Sequence, residues 1–268
     1  MSERRRPWPG TDPPSRPLAL VLVEPAGPLN VGSVARLCAN FGVRDLRLVA
    51  PRCDHLSEES RRMAVHGGAL LEQAGLYPDL AAAIADRTRV VAASGRVDSE
   101  AVPIMGPADA LPWLLEPAPG SGWEVSSGGP ALVFGRENRG LSTDELLQAG
   151  RIVRLGTDDG YPSLNLSHAV AISLHALHGF QQGLEQGHPG GSPAVAWPEP
   201  AERNVLEAAL ADAEELLLEV GFLLPHTAHA RMAKLRALLQ RGQISSDEVA
   251  LVRGMVRQLR WASQRRTP

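Results

Sequence analysis

The chain has 268 residues, 21% of them charged, and a formal net charge of −3 at pH 7. That length suits one domain of ordinary size with a smaller appendage, and the acidic balance argues against a non-specific nucleic-acid coat, while a site-specific RNA enzyme needs only a local basic face. No apolar run reaches the length of a bilayer span, and Cys38 and Cys53 have neither metal-ligand nor disulfide-framework spacing. A cytoplasmic protein with reduced thiols, no bound metal and no membrane partner is expected.

Residues 1–17 are rich in Arg and Pro (Arg4, Arg5, Arg6, Pro7, Pro9), with no apolar stretch of a secretory signal, and read as a disordered leader. Leu18 to Val23 is a continuous apolar run, the pattern of a strand buried on both faces. Val31 to Phe41 has helical periodicity and stops at Gly42. Leu46 to Val49 reads as a strand. Residues 57–75 read as helical, interrupted at Gly67 and Gly68. A short helix is expected at Leu80 to Ala85 and a strand at Arg89 to Ala93. Further strands are expected at Ala131 to Phe134 and Ile152 to Leu155. A helix follows from Ser167. Strands alternating with helices predict an α/β domain over 18–182 with a mainly parallel sheet.

The Gly- and Pro-rich stretch 183–200 reads as a linker. Beyond it, over 201–268, three amphipathic helices are expected: one through Leu206 and Leu217 ending at Gly221, one around Met232 to Leu239, one around Val249 to Leu259. Charge divides this extension. Acidic residues cluster at Glu207, Asp212, Glu214, Glu215 and Glu219; basic ones follow at Arg231, Lys234, Arg236, Arg253, Arg257 and Arg260. Arg253, Arg257 and Arg260 recur at spacings of four and three, so they share a helix face. The plain reading is a solvated surface; the sharper one is an RNA-binding arm, because Arg matches phosphate oxygens bidentately.

Three segments carry chemistry. Asn30-Val31-Gly32-Ser33-Val34-Ala35-Arg36 opens a helix; Arg36 is an arginine on an otherwise apolar face, readable as a surface residue with its stem laid over neighbours. Ala131-Leu132-Val133-Phe134-Gly135-Arg136-Glu137-Asn138-Arg139-Gly140-Leu141 is a strand running into a glycine-bounded loop. Tyr161-Pro162-Ser163-Leu164-Asn165-Leu166-Ser167-His168 is a polar loop feeding an apolar helix. In open α/β sheets ligands bind beyond the carboxyl ends of strands, where the chain has Ala93-Ser94-Gly95, Gly135 and Leu155-Gly156. No G-x-G-x-x-G follows a strand, and the one lysine, Lys234, lies in the extension, which excludes lysine catalysis in the α/β domain and disfavours a nicotinamide enzyme.

In this order and spacing the three segments resemble the motifs of the SpoU/TrmH-type RNA ribose 2′-O-methyltransferases of the SPOUT superfamily. The resemblance covers roughly residues 18–182, and Gly221-Phe222-Leu223 followed by Met232 to Arg236 resembles the tail of its TrmJ branch. It implies a C-terminal trefoil knot in the sheet domain and a homodimer whose active site is completed near the subunit interface. It further implies S-adenosylmethionine as methyl donor, held by Ala93, Ser94, Gly95, Gly135, Leu155, Gly156, Ser163, Leu164 and Asn165. The implied substrate is tRNA, at the first anticodon-loop nucleotide (position 32). The alternatives are ribosomal RNA, or a non-catalytic RNA-binding member of the fold. The catalytic set carried over is Arg36, Asn30, Glu137, Ser163 and Asn165.

The family assigns activation of the ribose hydroxyl to the arginine at position 36. Guanidinium is an acceptor-free cation, so Arg36 is expected to hold a phosphate and stabilise the developing alkoxide; acting as base would require a deprotonated guanidinium. Asn30 is read as a phosphate or ribose contact that also serves as a helix cap. Glu137 is read as structural, bound to backbone amides or to Arg36. His168 and His175 are read as packing residues. Asn138 stands where close relatives often carry a basic residue.

Overall fold

The sheet domain of the computed structural model is built, in chain order, from β1 (Ala19–Val23), α1 (Pro28–Phe41), β2 (Asp45–Val49), α2 (Glu58–Ala64), α3 (Gly68–Glu72), β3 (Gly75–Tyr77), α4 (Leu80–Ile84), β4 (Val90–Ala93), β5 (Ile104–Met105), α5 (Pro107–Ala110), β6 (Ala131–Phe134), α6 (Thr143–Leu146), β7 (Arg151–Val153) and α7 (Leu166–Glu185). Three helices follow: α8 (Arg203–Glu219), α9 (Pro225–Arg241) and α10 (Ser246–Gln264). The described residues are 18–95, 102–115, 128–158, 160–161, 163–185 and 199–265; the expected leader, Pro162 and most of the expected linker lie outside them.

The seven strands form one parallel sheet in the order β3-β2-β1-β6-β4-β7-β5. Its two faces explain the unbroken apolar strands. Leu20, Leu22, Leu132 and Phe134 point into a core shared with α1 and α7. Ala19, Val21, Val23 and Val133 point the other way, into a core closed by α4 and α6. A strand covered on both sides has no position for a polar residue.

Several short elements differ from expectation. β3 and β5 extend the sheet edges, and α6 follows β6. The strand expected over 152–155 occupies Arg151–Val153. The helical segment expected over 57–75 is interrupted as expected near Gly67, by a 3₁₀ turn between α2 and α3, but ends at Glu72 because Gly75 already belongs to β3; its backbone lies directly on α1. A side chain at Gly32 would place Cβ 2.2 Å from the Ser60 carbonyl oxygen, so glycine is required for this approach.

The C-terminal helices enclose their own core, with Leu206, Leu210, Met232 and Val249 buried. They dock at the amino-terminal ends of the strands. The Arg203 and Asn204 amides donate to the Arg87 and Ala85 carbonyls at 3.1 and 3.2 Å. Glu199 accepts from Thr88 Oγ1 at 2.8 Å and pairs with Arg89 at 2.7 Å. The Trp113 indole donates to Gln243 at 3.3 Å. On the flank, Ala233 packs against the core beside α6. Among the described residues no helix is long and apolar enough to cross a membrane.

Candidate active site

At the opposite, carboxyl ends of the strands, the loops after β4, β6 and β7 enclose a cleft of about 340 Å³. That is within the size of small-molecule sites, roughly 300–1,000 Å³. Of the residues carried over for the donor, Ala93, Ser94, Gly95, Gly135, Leu155, Ser163 and Leu164 line it. Phe134, Leu141 and Val153 complete an apolar floor. Two do not join them: Asn165 lies outside the lining, bonded to Asn30, and Gly156 lines a separate depression with Ile104, Gly106 and Arg154. For Gly156 the reason is local pairing, since the Arg154 amide donates to the Met105 carbonyl and carries the chain toward the β5 edge.

The loop after β6 is tightly folded, with Arg136 and Gly140 exchanging both backbone hydrogen bonds, at 3.2 and 2.9 Å. A Cβ on Gly135 would sit 2.3 Å from the Gly140 carbonyl carbon, so only glycine allows the loop to close. Arg136 fixes its outer side. Its guanidinium bonds both Glu145 oxygens at 2.9 Å and pairs with Glu24, which also pairs with Arg52. These cations hold the Glu24 carboxyl at about 2, with Arg136 the main cause. Glu145 in turn closes a capping box with Ser142 at the start of α6. Glu24, Arg136 and Glu145 had no role in the sequence reading. The signature Ser142-Thr143-Asp144-Glu145 was the available signal for part of this, being the S/T-x-x-E pattern of a helix start.

A chain of side chains joins the three motifs at the cleft rim. Glu137 accepts from the Ala26 amide at 3.1 Å, the Gly27 amide at 3.0 Å and Asn30 Nδ2 at 3.1 Å. Asn30 Oδ1 accepts from Asn165 Nδ2 at 3.1 Å. Asn165 Oδ1 accepts from the Ser167 amide at 2.9 Å and the Ser167 hydroxyl at 2.7 Å. So Asn165 caps α7 with one atom and reaches α1 with the other. Burial alone would raise the Glu137 carboxyl, but its own amide, those of Ala26 and Gly27, and the Asn30 amide group together lower it. An ionised carboxylate only accepts, which fixes the direction of every bond in the chain. Asn30 is therefore not a cap: it lies in the first turn of α1, whose cap position is Gly27.

Arg36 stands apart. It is exposed on the face of α1 away from buried Val34 and Ala35, lines no part of the cleft, and makes no hydrogen bond or ion pair among the described residues. Of the two partners expected for Glu137, the structure shows the amides and not Arg36. His175 packs edge-on against Phe41 with centroids 6.5 Å apart, and His168 is exposed; neither lines the cleft.

In the extension, the acidic and basic segments face each other. Arg253 pairs with Asp212 at 2.8 Å and Arg260 with Glu215 at 3.1 Å, linking α10 to α8. Arg236 binds Glu207 at 2.7 Å. Arg231 donates to the Phe222 carbonyl at 2.8 Å and covers that ring. Lys234 and Arg257 are exposed with no ion pair among the described residues.

Comparison with known proteins gives this geometry a family. Residues 17–175 match the SpoU rRNA Methylase family, and residues 205–268 match the tRNA methyltransferase TrmJ C-terminal domain. The tRNA (cytidine/uridine-2′-O-)-methyltransferase TrmJ of Klebsiella pneumoniae is 32% identical over 246 residues, 89% of this chain and 94% of the relative. The tRNA (cytidine/uridine/adenosine-2′-O-)-methyltransferase TrmJ of Pseudomonas aeruginosa is 30% identical over 244 residues, 89% of this chain and 92% of its own length. The crystal structure of TrmJ from Z. mobilis superposes with a TM-score of 0.75 at 30% identity, covering 92% of this chain and all of that one. With two family models matched in series and the parallel sheet of its relatives, the chain belongs to the SpoU methylase family and carries a TrmJ-type C-terminal domain.

Proposed function

We propose that the protein transfers a methyl group from S-adenosylmethionine to a ribose 2′-hydroxyl of tRNA, at the first nucleotide of the anticodon loop. The observation that carries this reading is the Glu137–Asn30–Asn165 chain, which binds the three motif loops into one rim around the cleft. The cleft fits the donor: apolar Leu141, Leu155 and Leu164 suit a purine, while Ser94, Ser163 and the glycine-bounded loops offer polar groups close to backbone. When bound, the donor would supply an electrophilic methyl group on a sulfonium sulfur, leaving as the neutral thioether once the ribose oxygen takes the methyl and its hydroxyl proton passes to solvent water. Ser163 and Asn165 orient the hydroxyl at the rim. Arg36 holds a phosphate and stabilises the alkoxide.

Because Arg36 is exposed and outside its own cleft, its role requires a second copy of the chain, with each Arg36 serving the partner's cleft in a C2 dimer. Exposed apolar side chains on α1 and α7, Leu29 and Ile172, support an interface there. A trefoil knot around the cleft and a cytoplasmic location belong to the same proposal. So does breadth of base: the names of the relatives run from cytidine and uridine to adenosine, and tolerance is expected here. The test is incubation with labelled donor and total tRNA or ribosomal RNA, then mapping of the label. Label confined to an anticodon-loop ribose supports the proposal; label on ribosomal RNA alone, or none, overturns it.

A further inference from the structure

Eight aromatic side chains fall among the described residues, and in seven the ring meets the core, another ring or an arginine, although Phe222 and Trp261 stay 63% and 52% exposed. Phe134 is buried and Phe180 packs on the same core. Phe41 meets His175 and His178. Tyr77, Trp113, Phe222 and Trp261 each carry an arginine guanidinium over the ring. Tyr161 is the exception. It lines the cleft yet is 79% exposed, with no core packing and no ring partner among the described residues. An aromatic ring left open to water at the mouth of a binding cleft is a surface for another flat ring.

Two flat groups come to this site if the proposed function holds, the purine of the donor and a base of the RNA. The cleft interior separates them. Leu155 and Leu141 are buried within it, at 9% and 8% exposure, and offer an enclosed apolar seat. Tyr161 lies outside that seat, two residues before Ser163 and four before Asn165, at the rim where the ribose enters. Exposed Arg139, on the loop after β6, lines the same cleft and supplies a cation for an adjoining phosphate. We infer that Tyr161 is a stacking platform for the base of the RNA nucleotide whose ribose is methylated, a positioning residue for that nucleotide. The inference rests on the function proposed above. It also supplies a physical reason for breadth of base: every base presents a π-face, whereas hydrogen bonds to base edges discriminate.

The experiment compares wild type with Tyr161→Ala, Tyr161→Phe and Tyr161→Trp. It measures kcat and KM for tRNA, calorimetric donor affinity and thermal unfolding. Stacking predicts that the alanine variant raises the tRNA KM about tenfold. Donor affinity and unfolding temperature stay at wild-type values, and the Phe and Trp variants keep the wild-type KM. An unchanged KM in the alanine variant overturns the inference. So does an equal fall in donor affinity, which would put the ring on the donor. So does a Phe variant as impaired as the alanine one, which would make the hydroxyl the active group. A wild-type protein that methylates no tRNA removes the proposed function and the stacking role together; an active wild type beside an unaffected alanine variant removes the stacking role alone.

Discussion

Asn30→Asp changes one atom of the rim chain from donor to acceptor and leaves size and shape almost untouched. In the native rim, Asn30 Nδ2 donates to Glu137 Oε1 at 3.1 Å. With aspartate there, two carboxylate oxygens meet at that separation. The repulsion of two unit charges 3.1 Å apart is ~1 kcal/mol with the screening of bulk water and ~5 kcal/mol at an effective dielectric constant of 20. The half-buried site lies between these limits. Asn30→Ala removes the charge-assisted bond to Glu137, a loss of ~1.5–3 kcal/mol at most in a partly solvated site, and the neutral bond from Asn165, ~0.5–1.5 kcal/mol, at every pH. The sign with pH separates the two variants. Facing carboxylates share a proton, which raises the folded-state pKa of the pair. The deficit of the aspartate variant is therefore fully present at neutral pH and shrinks as pH falls and the shared proton binds. Urea unfolding of wild type and both variants across pH 4 to 8 gives the answer. Equal stability of the two variants at every pH would show that Asn30 and Glu137 are not coupled as described.

Four further outcomes are expected. Arg36→Ala and Asn165→Ala are each inactive alone, but co-refolded mixtures regain methylation through dimers with one intact cleft; mixtures as inactive as the parents would refute the shared site. Neutralising Lys234 and Arg257 together weakens tRNA binding and reduces the salt slope by about two, measured by titration at several salt concentrations. The same changes at Arg253 and Arg260, which pair with Asp212 and Glu215, lower the unfolding temperature instead. Arg203 is buried with an unbonded Nε, and desolvation lowers its guanidinium to about 10. Arg203→Met is expected to keep or raise the unfolding temperature, because an apolar isostere removes an incompletely paired buried charge. Finally, Glu24 and Asp86 are both depressed to about 2, so their stabilising contribution is complete above the ordinary carboxylate range and disappears as pH falls toward 2. Glu24→Gln flattens that acid limb in circular dichroism.

Much of the sheet was legible because its central strands are covered on both faces. Leu18 to Val23 and Ala131 to Phe134 leave no room for polar residues, and such runs are visible in sequence. The edges were not. Gly75–Tyr77 and Ile104–Met105 are three and two residues long, too short for any periodicity to register. The site divides the same way. Glycine-bounded loops at strand ends were readable, but the bond from Asn30 to Asn165 spans 135 positions, and only the folded sheet brings them together. In the extension the order of charges along the chain hides their pairing: the acidic segment precedes the basic one, whereas α8 and α10 lie side by side and Asp212 and Glu215 meet Arg253 and Arg260.

The extension docks at the amino ends of the strands, and the cleft opens at their carboxyl ends. The sheet between them is a fixed spacer. Strands of three to five residues rise about 3.3 Å per residue, so strand and flanking loops separate the two faces by roughly 20 Å or more. On the proposed function, a short oligonucleotide presenting the target ribose at the cleft rim would leave the cations of the extension untouched, and a folded RNA long enough to turn the corner would engage both. The domain would then act as a gauge, in which the thickness of a protein layer separates whole tRNA from fragments of it.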